Sequence, residues 1–297
     1  MSLTAGKPSA GERIFDIFNV LFLTAFAVTT VYPFINVLVV SFSTPAAANV
    51  YGIKLWPKDI TLEAYRSVFA NEYIWIGYAN TLFRTVIGTF LNVAFTVLCA
   101  YPLAKKYLPN RDLYTLIIIF TMFFSGGLIP NYLLIKELGL LNSRWSLILP
   151  GLIAPFTMII VRNYFMSLPS EVEESAKIDG ANDIRILTSI VLPVSLPIVA
   201  TISLWYAVSH WNAWFDSLLY ITDPEKTVLG NVLRKIVIEG SSQFQNFETA
   251  RPGEGNTVTP DIIKAATIMV ATIPILCVYP FIQKYFVKGI MIGSLKG

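Results

Sequence analysis

The sequence is short of charge. Aspartate, glutamate, lysine and arginine make up 14% of its 297 residues, against about 25% in an average soluble domain. So few charges could hardly cover a soluble globule, which makes the bilayer the expected solvent. Histidine occurs once, and the two cysteines, Cys99 and Cys277, both sit in apolar runs. That leaves little material for a zinc site, and the cysteines read as small core hydrophobes rather than a disulfide or metal pair. The net charge of +3 reflects no basic block, so nucleic acid is not an expected partner. No converging acid, base or metal ligands are visible, so no catalytic residue and no enzyme activity is expected. The phosphate-binding pattern G-x-x-x-x-G-K-[ST] is absent as well. No internal repeat or low-complexity tract occurs.

What the sequence does have is apolar length. Hydrophobic residues account for 55% of it, and mean hydropathy is +0.61. Six runs are long enough to cross a bilayer, which takes about 20 residues with a lower limit near 17. They are Ile14–Phe42, Tyr78–Ala104, Leu113–Ile135, Trp145–Val161, Pro193–Tyr220 and Ile262–Gln283. The first is followed by Pro45-Ala46-Ala47-Ala48, which loosely mimics a cleavage site, but the run far exceeds the apolar core of about 7–15 residues in a signal peptide. It is therefore expected to be a retained span. Proline inside several runs (Pro33, Pro130, Pro155, Pro197, Pro274, Pro280) favours a packed bundle around a cavity, where neighbours or water satisfy the freed carbonyls.

The expected fold is thus all-α, a polytopic membrane bundle of six transmembrane helices. Residues 1–13 form a cytoplasmic N-terminal segment, 14–283 the six-span domain and 284–297 a cytoplasmic tail. Both termini are placed inside because lysine and arginine are denser in segments 1–13, 105–112, 162–192 and 284–297 than in 43–77, 136–144 and 221–261. The bias is modest. In the first outer loop, Thr61-Leu62-Glu63 looks like the start of a short helix, and Trp56, Tyr65, Tyr73 and Trp75 suit the membrane interface. Arg251-Pro252-Gly253-Glu254-Gly255 in the last outer loop is turn-rich.

The most charged stretch, about 168–192, lies between spans four and five. Ser170 with Glu173 is a capping box that starts a helix. Gly180 fits the left-handed position that ends one, and Asn182 or Asp183 can cap the next, which runs into Pro193. The product is a helix–glycine–helix elbow in the cytoplasm, bearing Glu171, Glu173, Glu174 and Asp179 beside Ile178 and Ala181. On composition alone it could be an ordinary solvated connector. Its pattern, however, closely resembles the "EAA" loop of ATP-binding-cassette importer permeases. The matching residues are Glu174-Ser175-Ala176, Asp179-Gly180-Ala181, Ile190 and Leu192-Pro193. Ser175 departs from the family's usual alanine, and it is small enough to keep the packing.

Further segments resemble the carbohydrate-importer branch, which is maltose-permease-like. They are Gly126-Gly127-Leu128-Ile129-Pro130, Arg162-Asn163-Tyr164-Phe165, His210-Trp211-Asn212 and the tail from Gln283 through Lys296-Gly297. The similarity covers nearly the whole chain. It implies a permease subunit of the bacterial cytoplasmic (inner) membrane, paired with a second homologous permease, two ATPase subunits and a separate solute-binding protein. ATP and magnesium would sit on the ATPase, with no cofactor on this chain. It also implies that Glu173, Glu174, Ala176, Asp179, Gly180 and Ala181 couple to the ATPase. A stiff capped elbow joined to spans four and five can transmit a rigid-body motion that a loose loop could not.

Polar groups within spans mark pathways by default. The expected substrate path comprises Arg84, Asn131, Tyr206, Ser209, His210, Trp211 and Asn212. Tyr206 with His210, and Ser209 with Asn212, each share a helix face. Rings stack on sugar faces, while imidazole and amide groups bond hydroxyls. The alternative for span five is helix packing plus an interfacial aromatic belt. Arg84 is either an outer-interface anchor or a cation at the outer mouth, and Lys264 presents the same choice. Asn92 is a weaker candidate that could simply bond across helices. The expected cargo is an oligosaccharide. The branch resembled includes importers of uronic-acid sugars such as alginate fragments, which Arg84 and Lys264 would suit. The rival is an ion-gradient-driven carrier, which would need deep carboxylate or histidine relays. The spans hold almost no carboxylates, and Asp216 lies near the outer end.

Overall fold

The computed structural model describes residues 10–169, 171–239 and 259–294, with the backbone alone for 172, 238, 239 and 278–294. Among the described residues the regular elements are all helical, and the β-type pairing is one isolated bridge, Ser43–Ile60. The α-helices are α1 (Ala10–Ser41), α2 (Pro45–Ala48), α3 (Glu63–Ala70), α4 (Glu72–Ala104), α5 (Arg111–Phe123), α6 (Leu128–Glu137), α7 (Pro155–Met166), α8 (Glu171–Ile178), α9 (Asp183–Ile186), α10 (Leu192–Val194), α11 (Leu196–Asn212), α12 (Phe215–Tyr220), α13 (Leu229–Arg234) and α14 (Pro260–Ser294). A π turn at Leu187–Val191 joins α9 to α10. Tight 3-10 turns at Arg144–Leu147 and Leu149–Gly151 precede α7. The sequence expectations at Ser170, Arg251–Gly255 and Lys296-Gly297 lie outside the described residues.

Two compact units emerge: α1–α3 with α14 as far as Thr272, and α4–α13 with the rest of α14. In the first, Tyr65 on α3 shares a 2.7 Å hydrogen bond with Ser41, and its ring lies tilted 4.8 Å from that of Phe42. Burial pushes the Tyr65 phenol up, opposed by the Ser41 bond. Thr61 Oγ1 accepts the Glu63 N–H at 3.3 Å, where α3 starts. Helix α1 is apolar all round, and its buried residues are Val39 and Ser41 alone. Such a helix has the composition of a lipid- or protein-facing span.

The second unit is organised by α4, which packs against α7, α11 and α13. Val97, Ala100 and Tyr101 of α4 form one core with Met158, Val161 and Phe165 of α7 and Ile202 and Tyr206 of α11. Ala176, Ile186, Leu187 and Val191 from the elbow join the same core.

Helices α1, α4 and Pro260–Cys277 of α14 are each long and apolar enough to span a bilayer. The other three expected spans are bent pairs, and counting each as one span gives six. The third bends by 113° between α5 and α6, where Gly127 takes φ +88°, a conformation glycine adopts without strain. The fourth bends by 50° between the turns at Arg144–Gly151 and α7, which starts on Pro155 because proline suits a first helical turn. The fifth bends by 87° at Ser195, between Asp183–Val194 and α11. The elbow's second arm therefore runs through Pro193, and span five proper begins at Leu196. It ends at Asn212, where Ala213 turns extended. Helix α14 continues without a break to Ser294, past the expected tail boundary at residue 284.

Candidate functional site

One face of α4 carries a polar and small-residue stripe: Gly77, Thr81, Arg84, Gly88, Asn92 and Thr96, all buried. Spacings of three and four place these on one side of the helix. From Gly77 to Thr96 the stripe is about 28 Å long, close to the hydrocarbon thickness of about 30 Å. At its outer end Asn80 donates to the carbonyls of Glu225 (2.8 Å) and Thr227 (2.9 Å) and accepts from Arg144 Nε (2.7 Å). Thr81 Oγ1 accepts the Leu229 N–H at 2.9 Å. The lack of a side chain at Gly77 lets the α13 backbone approach, since a Cβ there would lie 3.0 Å from Leu229 Cα. Nearby, Asp223 is held below the usual carboxylate range by the Glu225 N–H and Lys226.

In the middle of the stripe Arg84, 4% exposed, lies about 18 Å along α4 from its start at Glu72. Its guanidinium forks onto both carboxylate oxygens of Asp216, one at 3.0 Å, and Nη1 donates to the Ala213 carbonyl at 3.1 Å. Nε donates to His210 Nδ1 at 3.3 Å. An accepting Nδ1 carries no proton, so His210 Nε2–H donates to Asn92 Oδ1 at 2.9 Å. Asn92 Nδ2 in turn donates to the Gly151 carbonyl at 2.7 Å. Gly88 makes room for the imidazole, for a Cβ there would meet His210 Nε2 at 2.5 Å. Of the carbonyls served, Gly151 lies at the break in span four and Ala213 where the helix of span five ends. Irregular backbone at membrane depth requires such internal partners. One turn further in, Thr96 Oγ1 and Tyr206 Oη bond at 2.8 Å, and Tyr206 Oη accepts the Ala154 N–H at 3.4 Å.

These contacts engage three of the expected path residues within the chain. Arg84 is neither an interface anchor nor a free cation; its charge is matched by Asp216. Tyr206 and His210, both buried, face α4 and bond within the chain. Asn92 does bond across helices. Trp211 is half-buried, with its ring 6.4 Å from Tyr78. Asn131, Ser209 and Asn212 are exposed, and Asn212 Nδ2 donates back to the Val208 carbonyl at 3.0 Å. In the other unit Lys264 lies 3.9 Å from Asp261. Sequence reasoning missed Gly88, Thr96 and the Asp216 partnership. The available signal was the spacing of small and polar residues along span two.

The elbow has the geometry its sequence implies. Gly180, at φ +79°, ends α8. Its N–H donates to the Lys177 carbonyl at 3.0 Å, and the Ala181 N–H donates to Ala176 at 2.9 Å. This is the paired closure of a helix end on a left-handed glycine. Asn182 is the cap of α9, its side chain accepting the Arg185 N–H at 2.8 Å. Ser175 Oγ donates to the Glu171 carbonyl at 3.2 Å, so the unusual serine is satisfied locally.

The elbow's faces differ. Glu174, Asp179 and Gly180 are exposed, and Ile178 and Ile184 are 87% and 69% exposed. Glu173 and Ala176 instead turn toward the chain's own core, and Ala181 is half-buried against it. The expectation of a protruding Glu173 is thus corrected. Both its carboxylate oxygens take Lys105 Nζ, at the inner end of α4, and Tyr101 Oη donates to it at 3.4 Å. Lys105 Nζ also lies 4.1 Å over the Tyr101 ring. Tyr107, just beyond α4, donates to Asp183 Oδ1 at 3.1 Å and sits under Lys177 Nζ at 4.4 Å. Burial, then the Asp183 hydrogen bond, raise the Tyr107 phenol above its ordinary value. Arg162 donates to the Leu103 carbonyl at 3.0 Å and so caps the same helix end.

Residues 5–292 match the family described as "Binding-protein-dependent transport system inner membrane component". The chain belongs to that permease family. The permease is 46% identical over 286 residues to protein LplC of Bacillus subtilis, covering 96% of each chain. It is 45% identical over 286 residues to the polygalacturonan/rhamnogalacturonan transport system permease protein YtcP of the same organism, covering 96% of this chain and 99% of that one. It also superposes on a chain of a bacterial ABC transporter involved in the import of the acidic polysaccharide alginate. The TM-score is 0.89 and the identity 35%, covering 95% of the permease and 100% of that chain. The permease is therefore a membrane component of a binding-protein-dependent ABC importer, and the ion-gradient alternative falls away.

Proposed function

We propose that this permease forms half of the translocation path for an oligosaccharide, pairs with a second homologous permease, and takes its motion from two ATPase subunits at the elbow. The observation that carries the coupling role is the elbow's exposed face. Ile178 and Ile184 stand out in a segment outside the spans, on either side of Asp179 and Gly180 and with the exposed acid Glu174 four residues before Ile178. Exposed apolar side chains on a capped, core-anchored elbow suit a partner groove far better than solvent. A cytoplasmic elbow places both termini inside. The chemistry of ATP hydrolysis, with its magnesium, belongs to the partner ATPase, and this chain contributes no catalytic group. A solute-binding protein delivers the cargo.

Sugar is the cargo class because sugars recur among the relatives, two of which belong to polygalacturonan/rhamnogalacturonan and alginate transport systems. If the cargo is acidic, its counter-charge comes from groups other than Arg84, which Asp216 occupies. On this chain the face of α11 bearing Ser209 and Asn212 is the part of the expected path that stays open. Co-purification of the tagged chain, followed by ATPase assays with purified binding protein and galacturonan or alginate oligosaccharides, tests the proposal. Recovery of an ATPase and a second permease, with hydrolysis stimulated by one sugar, is expected. A chain that purifies alone from membranes and stimulates no hydrolysis overturns it.

A further inference from the structure

Helix α4 touches both ends of the machinery, although it is joined covalently to neither the elbow, the break in span four nor the end of span five. At its inner end Lys105 holds Glu173 of α8, both side chains about nine-tenths buried at 11% and 13% exposure. Just past it Tyr107 holds Asp183 of α9. The two arms of the elbow are therefore gripped from one short stretch, residues 101–107. Further out on the same helix, Asn92 holds the Gly151 carbonyl and Arg84 holds the Ala213 carbonyl and Asp216. Helix α4 is assigned as helix from Arg84 to Ala104, with Pro102 in its last turn and Lys105 as its C-cap, and an unbroken helix can move as a rigid element where a bent pair can flex.

We infer that Lys105, Tyr101 and Tyr107 are positioning residues for transport, through which displacement of the elbow is passed to α4 and along it to the break in span four and the outer end of span five. This rests on the ATPase-coupling role proposed above. It adds a second route beside the direct covalent one from the elbow into α7 and α11. The Lys105–Glu173 contact suits that task. A nearly buried, multiply bonded ion pair fixes one geometry, and removing one partner leaves the other charge unpaired. Glu173 sits immediately before Glu174, yet the two carboxylates face opposite ways, one to the chain's own helix and one outward. Within a single helical turn, the elbow thus has one acid for the partner and one for α4.

The test compares three variants in proteoliposomes holding the full importer, using the number of sugars moved per ATP hydrolysed as the readout. Lys105→Met and Lys105→Glu should lower that ratio by about two- to thirtyfold, the span of coupling changes seen for residues linking distant sites. The exchanged pair Lys105→Glu with Glu173→Lys should restore most of it, which a purely structural loss would not explain if all three assemble with the ATPase in equal yield. Gly180→Pro on the elbow is the control for the coupling role itself. Normal ratios in the Lys105 variants with a lowered ratio in Gly180→Pro overturn the α4 route alone. Normal ratios in every variant overturn the coupling role as well. A lowered ratio in Lys105→Glu that the exchange does not restore also counts against the α4 route, since the pair rather than the fold must carry the effect.

Discussion

The two faces of α11 look alike in sequence and differ in the structure. Tyr206 and His210 lie on one face, Ser209 and Asn212 on the other, and all four are polar groups inside a span. On the first face each polar atom meets a partner on another element: Thr96, Ala154, Arg84 and Asn92. On the second the residues are exposed, and Asn212 bonds only along its own helix. A polar group in a membrane helix marks a pathway when nothing in its own chain satisfies it. When a neighbour does, it marks an internal contact that orders the bundle. The first face should therefore carry stability and the second transport, and substitutions can separate the two.

The largest expected effect is from Arg84→Met. It strands the Asp216 carboxylate, the Ala213 carbonyl and His210 Nδ1 together. Loss of one partner of a buried pair costs about 3–5 kcal/mol, and because Asp216 is 29% exposed we expect about 3 kcal/mol. The thermal midpoint of the purified complex should drop accordingly, and adding Asp216→Leu should recover part of the loss. If the single variant melts like wild type, the ion pair does not support this face.

Gly88→Ala comes next. The added Cβ would meet the imidazole at 2.5 Å, and forced overpacking costs about 1–3 kcal/mol. Asn92→Ala should cost about 1–2 kcal/mol, because it leaves the Gly151 carbonyl and His210 Nε2–H without their partner. Both are measured as shifts in thermal midpoint, and Gly88→Ala in a His210→Ala background should be nearly silent. If the Gly88 cost persists in that background, the crowding lies elsewhere. Smallest in stability are Ser209→Ala and Asn212→Ala, within about 0.5 kcal/mol. These should instead weaken sugar uptake while the complex assembles in normal yield. Unchanged uptake would remove the second face from the path.

The fold class was legible because it follows from composition and run length, which the bilayer constrains strongly. The elbow was legible because its caps are local chemistry: Gly180 at positive φ and Asn182 as an N-cap need only neighbouring residues. The breaks were harder. Pro130, Pro155 and Pro197 flagged irregularity, but whether a proline bends a span or ends it depends on what packs beside it. The polar stripe on α4 was hardest. Arg84 was weighed against lipid and its interface, yet its partner lies 132 residues away. Glu173 is likewise expected on the protruding elbow beside Glu171 and Glu174, while its partner Lys105 is 68 residues away. Long-range pairing is the one quantity that a single sequence does not print.

The most direct measurement is the accessibility of single cysteines on α11 in the assembled importer, with Cys99 and Cys277 replaced by serine. Cysteines at 209 and 212 should react with a membrane-impermeant thiol reagent and be protected by the transported sugar. Cysteines at 206 and 210 should stay unreactive. Labelling at 206 and 210 with silence at 209 and 212 would contradict the account, since the face turned to α4 would then be the one that lines the path.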